Sequence, residues 1–428
     1  MALRDPGDTN AIVRAATNRW GSDAARLPTD ADRVGDLAPR VVLEPRDAAT
    51  LAQTLQWADE ERLAIVPRGG GTKLTWGTDP SRLDVMLSMT RLKAPIDHCA
   101  GDLTATLPSG AMLDAVNLVL GRENQWLPLD PAGSDRATVG GIIATNDSGP
   151  RRQRYGTPRD LIIGIEMALV DGRTAKAGGR VVKNVAGYDL SRLLCGSFGC
   201  LAVITSATFK LAPVPPASRT VVATVSDARR LGALALAIAA APLNPSAIEL
   251  ESPPTRLMLR FETTLASAEQ QAAAASDLCA RHEAATAILR DGAETDAWRE
   301  YEARLWRTPG TLVKIAVLPA DVADALEQVE RVTASHAVDY HVGGRAALGV
   351  LFLRLSGDLD KQSAVVATLR RDVTARGGSA VLVAAESALK ARIDPWGDVG
   401  DGFQMMRAVK ARFDPNGTLS PGRGPGGL

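Results

Sequence analysis

Three consecutive glycines close a hydrophobic run at Ile65-Val66-Pro67-Arg68-Gly69-Gly70-Gly71-Thr72, and few features restrict a chain more. Residues without a Cβ can take φ > 0 and let backbone approach backbone or ligand, while their amides can converge on an anion. Taken alone, such a loop has two readings: a tight connection after a strand, or a nest for the oxygens of a pyrophosphate. The rest of the chain decides between them.

The 428 residues suffice for two or three domains, and a hydrophobic content of 45% supplies their cores. The 49 basic and 49 acidic side chains cancel, so there is no sequence-wide electrostatic case for nucleic acid or an anionic membrane surface. The first residues carry Arg4, Asp5, Asp8 and Arg14 and no apolar signal segment, so a cytoplasmic protein is expected. The longest aliphatic run, Leu231 to Leu243, is too short to span a bilayer and reads as a buried helix. Any membrane contact would then run through partners. Cys99, Cys195, Cys200 and Cys279 show no Cys-x-x-Cys spacing, which argues against structural zinc or an iron–sulfur cluster and for reduced, buried thiols.

Residues 41 to 67 read as strand, helix, strand, with Asp47 as N-cap and Leu51, Leu55 and Ala58 on the apolar face. A second α/β unit has strands at Val85-Met86-Leu87 and Leu103 to Leu107, then a helix from Met112 to Leu120. Leu161 to Val170, Asp171-Gly172 and Arg173-Thr174-Ala175 predict an antiparallel hairpin with a two-residue type I′ turn. Pro213, Pro215 and Pro216 mark a boundary. Beyond it, Ala-rich helices alternate with strands up to about 400, which predicts an independent α+β domain. The ranges expected are an N-terminal helical segment at 1–36, a ligand domain at 37–213, the α+β domain at 214–400 and a returning tail at 401–428.

Two common phosphate loops are excluded first. Gly71-Thr72-Lys73 lacks the four residues that separate the first Gly from Gly-Lys in a Walker loop, and Gly-x-Gly-x-x-Gly with a continuing parallel βαβ repeat is absent. Three further elements follow the triplet. The second comprises Asp130-Pro131, Thr138-Val139-Gly140-Gly141 through Thr145-Asn146, and Gly149-Pro150-Arg151-Arg152-Gln153-Arg154-Tyr155-Gly156. The third is Lys183-Asn184-Val185-Ala186-Gly187-Tyr188-Asp189-Leu190 with Gly196-Ser197-Phe198-Gly199-Cys200 to Thr205, and the fourth is Leu419-Ser420-Pro421-Gly422-Arg423.

In this order the four elements resemble the flavin-binding fold of the vanillyl-alcohol oxidase/p-cresol methylhydroxylase superfamily, over about 40 to 213 plus the tail. The run Gly149 to Arg152, the Arg159-Asp160 pair and Lys183 to Arg192 are similar, more narrowly, to the FAD-binding subunits of bacterial glycolate oxidases. The resemblance implies an α+β fold: a p-cresol methylhydroxylase-type FAD-binding domain of two α/β subdomains, capped by an α+β domain with an antiparallel sheet. It implies FAD, with Arg68, Gly69, Gly70, Gly71 and Thr72 around the pyrophosphate. Thr138, Gly140, Gly141, Thr145, Gly149 and Tyr155 would lie on the flavin side, and Gly199, Val203 and Ile204 toward the adenine. Arg68 reads equally as a solvated side chain before a turn. Relatives that bind the flavin covalently do so through a His in this loop or a nearby Cys; Gly71 and Thr72 stand here, so the cofactor is expected to be noncovalent.

Oxidising a 2-hydroxy acid requires a hydride acceptor, a base for the hydroxyl proton and a cation for the carboxylate. Related catalytic subunits carry His-x-Gly-Asp-Gly-Asn-x-His with metal-ligating histidines, whereas this chain has His341-Val342-Gly343-Gly344-Arg345-Ala346-Ala347-Leu348. Read on one strand, His336 and His341 would point to opposite faces, so no metal site is assigned. Arg152, Arg154 and Arg345 are the candidate substrate contacts. Tyr155 and Tyr188, like Trp126, Trp306 and Trp396, are expected to pack.

The resemblance implies a complex of this chain with a sister flavin subunit and an iron–sulfur subunit, oxidising glycolate to glyoxylate. This subunit either acts on glycolate or D-lactate itself, with Arg152 or Arg345 holding the carboxylate, or leaves the substrate step to its sister. The remaining alternative is a stand-alone FAD oxidase or dehydrogenase of D-lactate or another small alcohol.

Overall fold

The computed structural model describes residues 9–180 and 187–428, so Arg4, Asp5, Asp8 and the Lys183 to Ala186 part of the third element lie outside the described residues. It divides into two units, Met1–Ser148 with Thr157–Val214 and Asp398–Leu428, and Gly149–Gly156 with Pro215–Gly397.

In the first unit, a four-stranded sheet runs in the order Ala25–Arg26, Val41–Leu43, Val85–Ser88, Ile65–Arg68. Its last three strands are mutually parallel. The helix Ala48–Glu60 makes the crossover, and the Asp47 carboxylate caps it by accepting from the Thr50 amide at 2.7 Å. Leu51, Leu55 and Ala58 are buried against Val41, Leu43, Ile65 and Val85. Each buried leucine contributes about 1.5–3 kcal/mol. The sequence placed Val85 to Leu87 in the second subdomain. The structure inserts that strand at the centre of the first sheet instead. Val85, Met86 and Leu87 are all fully buried, as a parallel strand covered on both faces requires.

The second sheet of this unit is antiparallel, in the order Asp97–Cys99, Thr104–Pro108, Val203–Lys210, Ile162–Ala168, Thr174–Gly178. The helices Leu113–Leu120 and Val139–Thr145 pack on it through Val116, Leu120, Ile142 and Ile143, against Leu107 and Phe209. The predicted hairpin is present, but its turn differs. Leu169 pairs with Arg173 at 2.8 Å, the Gly172 amide closes back to the Leu169 carbonyl at 3.1 Å, and Gly172 but not Asp171 has positive φ. That is a three-residue loop, a type I turn ending in a left-handed glycine. Asp-Gly serves both turn types, and the strand ends select between them.

The tail returns to the first sheet. The Ile65 amide donates to the Thr418 carbonyl at 2.7 Å and the Ser420 amide to the Ile65 carbonyl at 2.8 Å. Lys410 fixes the tail from within, its ammonium donating to the carbonyls of Cys200 and Leu419, each at 2.8 Å, and to Asp414 at 2.6 Å.

The second unit is built on an eight-stranded antiparallel sheet, ordered Ala285–Leu289, Ala217–Thr224, Arg256–Thr263, Ala247–Ser252, Asp339–Arg345, Val350–Ser356, Thr311–Ala316, Ser379–Ala384. Ile248, Leu250, Leu257, Leu259, Phe261, Val313, Leu351 and Leu353 form one core with the helices Ala228–Ala240, Leu265–Arg281, Val322–His336 and Leu359–Thr374. The alternating positions Glu249, Glu251, Glu262 and Arg345 are buried too, so the other face of the same strands is ionic. The aliphatic run from Leu231 lies in the helix Ala228–Ala240, with Leu231, Leu234, Ala235 and Ile238 buried. Among the described residues no helix is long and apolar enough to cross a membrane.

Candidate cofactor site

The strand Ile65–Arg68 delivers the glycine triplet to the wall of an open cleft of about 790 Å³, part of it continuous with solvent. Three segments converge there. Gly69, Gly70, Gly71 and Thr72 form one wall after Arg68; Thr138, Gly140, Gly141 and Thr145 come from the helix Val139–Thr145 and its cap; Gly199, Val203 and Ile204 come from the start of the strand Val203–Lys210. Met89, Ala144 and Ala202 give the cleft an apolar side that suits a flat ring.

The glycines are there for different reasons. Gly71 has φ +74°, which a residue with a Cβ adopts only under strain. A Cβ on Gly70 would lie 1.7 Å from the Arg136 carbonyl oxygen, and one on Gly69 would lie 1.9 Å from the Thr138 hydroxyl. The triplet therefore lets the loop press onto the segment 136–138 as much as it lets the loop turn. Among the described residues, the amides of Gly69, Gly70, Gly71 and Thr72 donate to no acceptor within the chain. Four adjacent free donors fit a phosphate, and the buried Ser109 hydroxyl on the cleft wall likewise has no partner among the described residues. On both observations the residues present fit the pyrophosphate and ring of a flavin nucleotide.

Arg68 is neither a free anion clamp nor a solvated side chain. Its guanidinium pairs with Asp32 at 2.7 Å and donates to the Ala31 carbonyl at 3.2 Å. Arg26 grips the same carboxylate with two bonds of 2.8 Å, and the Thr29 amide and hydroxyl add two more. The Arg26 bonds above all, with those from Thr29 and Arg68, hold the buried Asp32 carboxyl well below the usual carboxylate range. Arg68 thus anchors the base of the loop.

Lys73, which enters the sequence reading only in the exclusion of a Walker loop, has a structural role. Its ammonium is buried, 3.1 Å from the Asp147 carboxylate, and donates to the Ala132 carbonyl at 2.8 Å and the Thr72 hydroxyl at 3.1 Å. This ion pair ties the glycine loop to the second glycine-rich element.

Gly149 and Tyr155, expected on the flavin side, belong to the second unit. What holds their segment is Glu262. The Arg151 guanidinium donates to that carboxylate at 2.8, 3.1 and 3.2 Å, and Arg154 donates to the Glu262 carbonyl at 2.9 Å. Arg260 is 3.5 Å away. Burial alone would raise the Glu262 carboxyl, but Arg151, by charge and hydrogen bond, and then Arg260 outweigh it and bring it down to about 2 from the ordinary 4.5. A depressed carboxyl adds stability above its unfolded value and loses it as the pH falls through the folded one. Wild type should exceed Glu262→Gln by about 3 kcal/mol near neutrality, with the gap closing between about pH 4.5 and 2. Denaturant titrations across that range check it, and a gap independent of pH would refute it.

The candidate substrate arginines fare unequally. Arg345 is fully buried, 3.7 Å from Glu249 and stacked on Phe352 at 4.7 Å; Tyr301 donates to the same Glu249. Such an arginine is spent on the ionic sheet face. Arg154 is exposed and engaged with the Glu262 carbonyl, and Arg152 is half-buried on the short helix Arg152–Tyr155. His336 and His341 do not share a strand. His336 ends the helix Val322–His336, bonded to the Val332 carbonyl at 2.9 Å, while His341 lies 3.3 Å from Glu251. Tyr155 is half-buried, its hydroxyl pushed up by burial, but Tyr188, expected to pack, is exposed. Trp306 packs on Phe352 with ring centroids 5.0 Å apart, and Trp126 and Trp396 are half-buried. All four cysteines are free. Cys200 and Cys279 are buried, Cys99 and Cys195 half-buried, and burial pushes the Cys195 thiol up to about 12 and Cys279 to about 11.

Known proteins resemble this chain in sequence and fold. The FAD binding domain family matches residues 39–178, and the C-terminal domain of FAD linked oxidases matches 398–423. The chain is 28% identical to the glycolate oxidase subunit GlcD of Bacillus subtilis, over 99% of this chain and 97% of that protein. It is 38% identical to the D-lactate dehydrogenase of Archaeoglobus fulgidus, over 44% of each. Among solved structures, p-cresol methylhydroxylase with bound substrate superposes with a TM-score of 0.76 at 16% identity, over 97% of this chain and 96% of that one, which establishes the fold. The chain thus carries an FAD binding domain, has a p-cresol methylhydroxylase-type FAD-binding fold, and is an FAD-dependent oxidoreductase.

Proposed function

We propose that this chain is the FAD-binding subunit of a glycolate oxidase complex, oxidising glycolate to glyoxylate with electrons passed to an iron–sulfur partner. The similarity to a glycolate oxidase subunit over nearly the whole of both chains supports the substrate class. The observation that carries the cofactor assignment is the cleft itself, where twelve of the fourteen residues expected from the sequence converge beside four unused amides. Gly69 to Thr72 hold the pyrophosphate by backbone donation, and Gly140, Gly141 and Thr145 give a flat, small-sided wall to the ring. Gly71 and Thr72 offer no side chain for a flavin bond, so the cofactor is noncovalent. FAD supplies two-electron acceptance from a carbon–hydrogen bond and onward transfer of those electrons.

The substrate step belongs to the sister flavin subunit. Arg345 is committed to Glu249 and His341 to Glu251, which leaves the second unit without the histidine pair and without one of its three candidate carboxylate-binding cations. The protein works in the cytoplasm and reaches the inner membrane only through partner subunits. The test is anaerobic mixing of the purified, FAD-loaded chain with glycolate and, in parallel, D-lactate. The flavin band should persist with the chain alone and bleach when sister and iron–sulfur subunits are present, and acid precipitation should release all the flavin. Rapid bleaching of the isolated chain by D-lactate would instead establish a stand-alone dehydrogenase.

A further inference from the structure

We propose that the Ser109 hydroxyl is a direct hydrogen-bonding partner of the bound flavin nucleotide; the assignment rests on the reading that FAD occupies this cleft. Ser109 follows the strand Thr104–Pro108 and is only 2% exposed. Its main chain is fully engaged, the amide donating to the Thr205 carbonyl at 2.9 Å and the carbonyl accepting from the Gly140 amide at 2.8 Å. The side chain is therefore held in place on the cleft wall.

Four hydroxyl-bearing side chains line the cleft, and three have work within the chain. Thr72 accepts from Lys73 at 3.1 Å, Thr138 accepts from the Gly141 amide at 3.4 Å, and Thr145 donates to the Gly141 carbonyl at 2.8 Å. Ser109 Oγ is buried and has no partner among the described residues. A buried hydroxyl left unpaired is costly, and alanine would fill the same place without that cost. Nothing in the folding of the chain explains the oxygen. A ligand in the cleft does, because a flavin presents carbonyl and ring-nitrogen atoms that can pair with a hydroxyl as donor or acceptor. Gly140 supports this, since a Cβ there would lie 2.8 Å from the Ser109 Cβ and close off the approach.

The signs of the effects separate a cofactor contact from a structural one. Ser109→Ala should leave the melting temperature of the apoprotein equal or higher, because the unpaired oxygen is gone. It should weaken FAD binding about tenfold in titrations of the apoprotein, and shift the visible absorption of the bound flavin. Ser109→Cys, which keeps the bulk but donates weakly, should move in the same direction. An FAD affinity within twofold of wild type for both variants, or an apoprotein melting temperature that falls as far as that of the loaded protein, overturns the assignment to Ser109 alone. A wild-type apoprotein that takes up no FAD overturns the cofactor reading, and Ser109 with it.

Discussion

Gly70→Ala should leave the purified protein colourless. The added Cβ would lie 1.7 Å from the carbonyl oxygen of Arg136, and that neighbour is backbone that cannot rotate away. Either the loop or the segment 136–138 must retreat, and Thr138, packed beside Gly69 and capping the helix Val139–Thr145, moves with it. Forced overpacking of this kind costs about 1–3 kcal/mol and sometimes more. Since the displaced groups are the cofactor's own wall, that strain appears as roughly 10–100-fold weaker FAD binding. Gly71→Ala makes the contrast. Its φ of +74° is strained for alanine, but the nearest atoms to a Cβ there are flexible side chains at 3.7 and 3.8 Å. Its cost should stay near 1–2 kcal/mol, as for one left-handed residue. Titration of both apoproteins with FAD decides the matter, and a Gly70→Ala protein that binds within twofold of wild type would remove the packing account of the triplet.

The second large effect concerns Lys73 and Asp147, whose side chains are 6% and 4% exposed. Lys73→Met leaves a buried carboxylate held, among the described residues, only by the Ala132 amide at 3.1 Å, and Asp147→Leu leaves a buried ammonium on two neutral oxygens. Breaking a buried pair from one side costs about 3–5 kcal/mol, because the charge left behind has lost both water and partner. Replacing both residues removes both charges, so the double variant should be destabilised by much less than the sum of the singles. Chemical denaturation of the three variants gives the coupling directly. Single losses below about 1 kcal/mol would mean that the loop is attached to the second glycine element by packing alone.

Much of the cofactor domain was legible before any coordinates, because the features that specify it are local. A strand ending in three glycines and an N-cap Asp47 ahead of a 3.6-residue apolar period are both written locally in the chain. Each can be read from backbone sterics and hydrogen-bond geometry alone. Where the reading slipped, the deciding neighbour was distant in sequence. Val85 to Leu87 is a short apolar run that fits either sheet, and only parallel pairing with Val41–Leu43 and Ile65–Arg68 places it. Likewise the partner of Arg151, Glu262, lies more than a hundred residues on and could not be read from the sequence.

The sequence by itself determined that this chain ends a strand in a glycine triplet on an α/β scaffold, carries no iron–sulfur motif, and lacks the histidine pair of related catalytic subunits. The tertiary structure alone decided which charges are available. Arg68, Lys73 and Arg345 look alike on the page as cations beside glycines, yet each is spent on a buried carboxylate, Asp32, Asp147 and Glu249. The reason is physical: a buried charge must find its counter-charge somewhere in three dimensions, and sequence distance does not constrain where. By contrast, the glycine-loop amides and the Ser109 hydroxyl have no partner among the described residues.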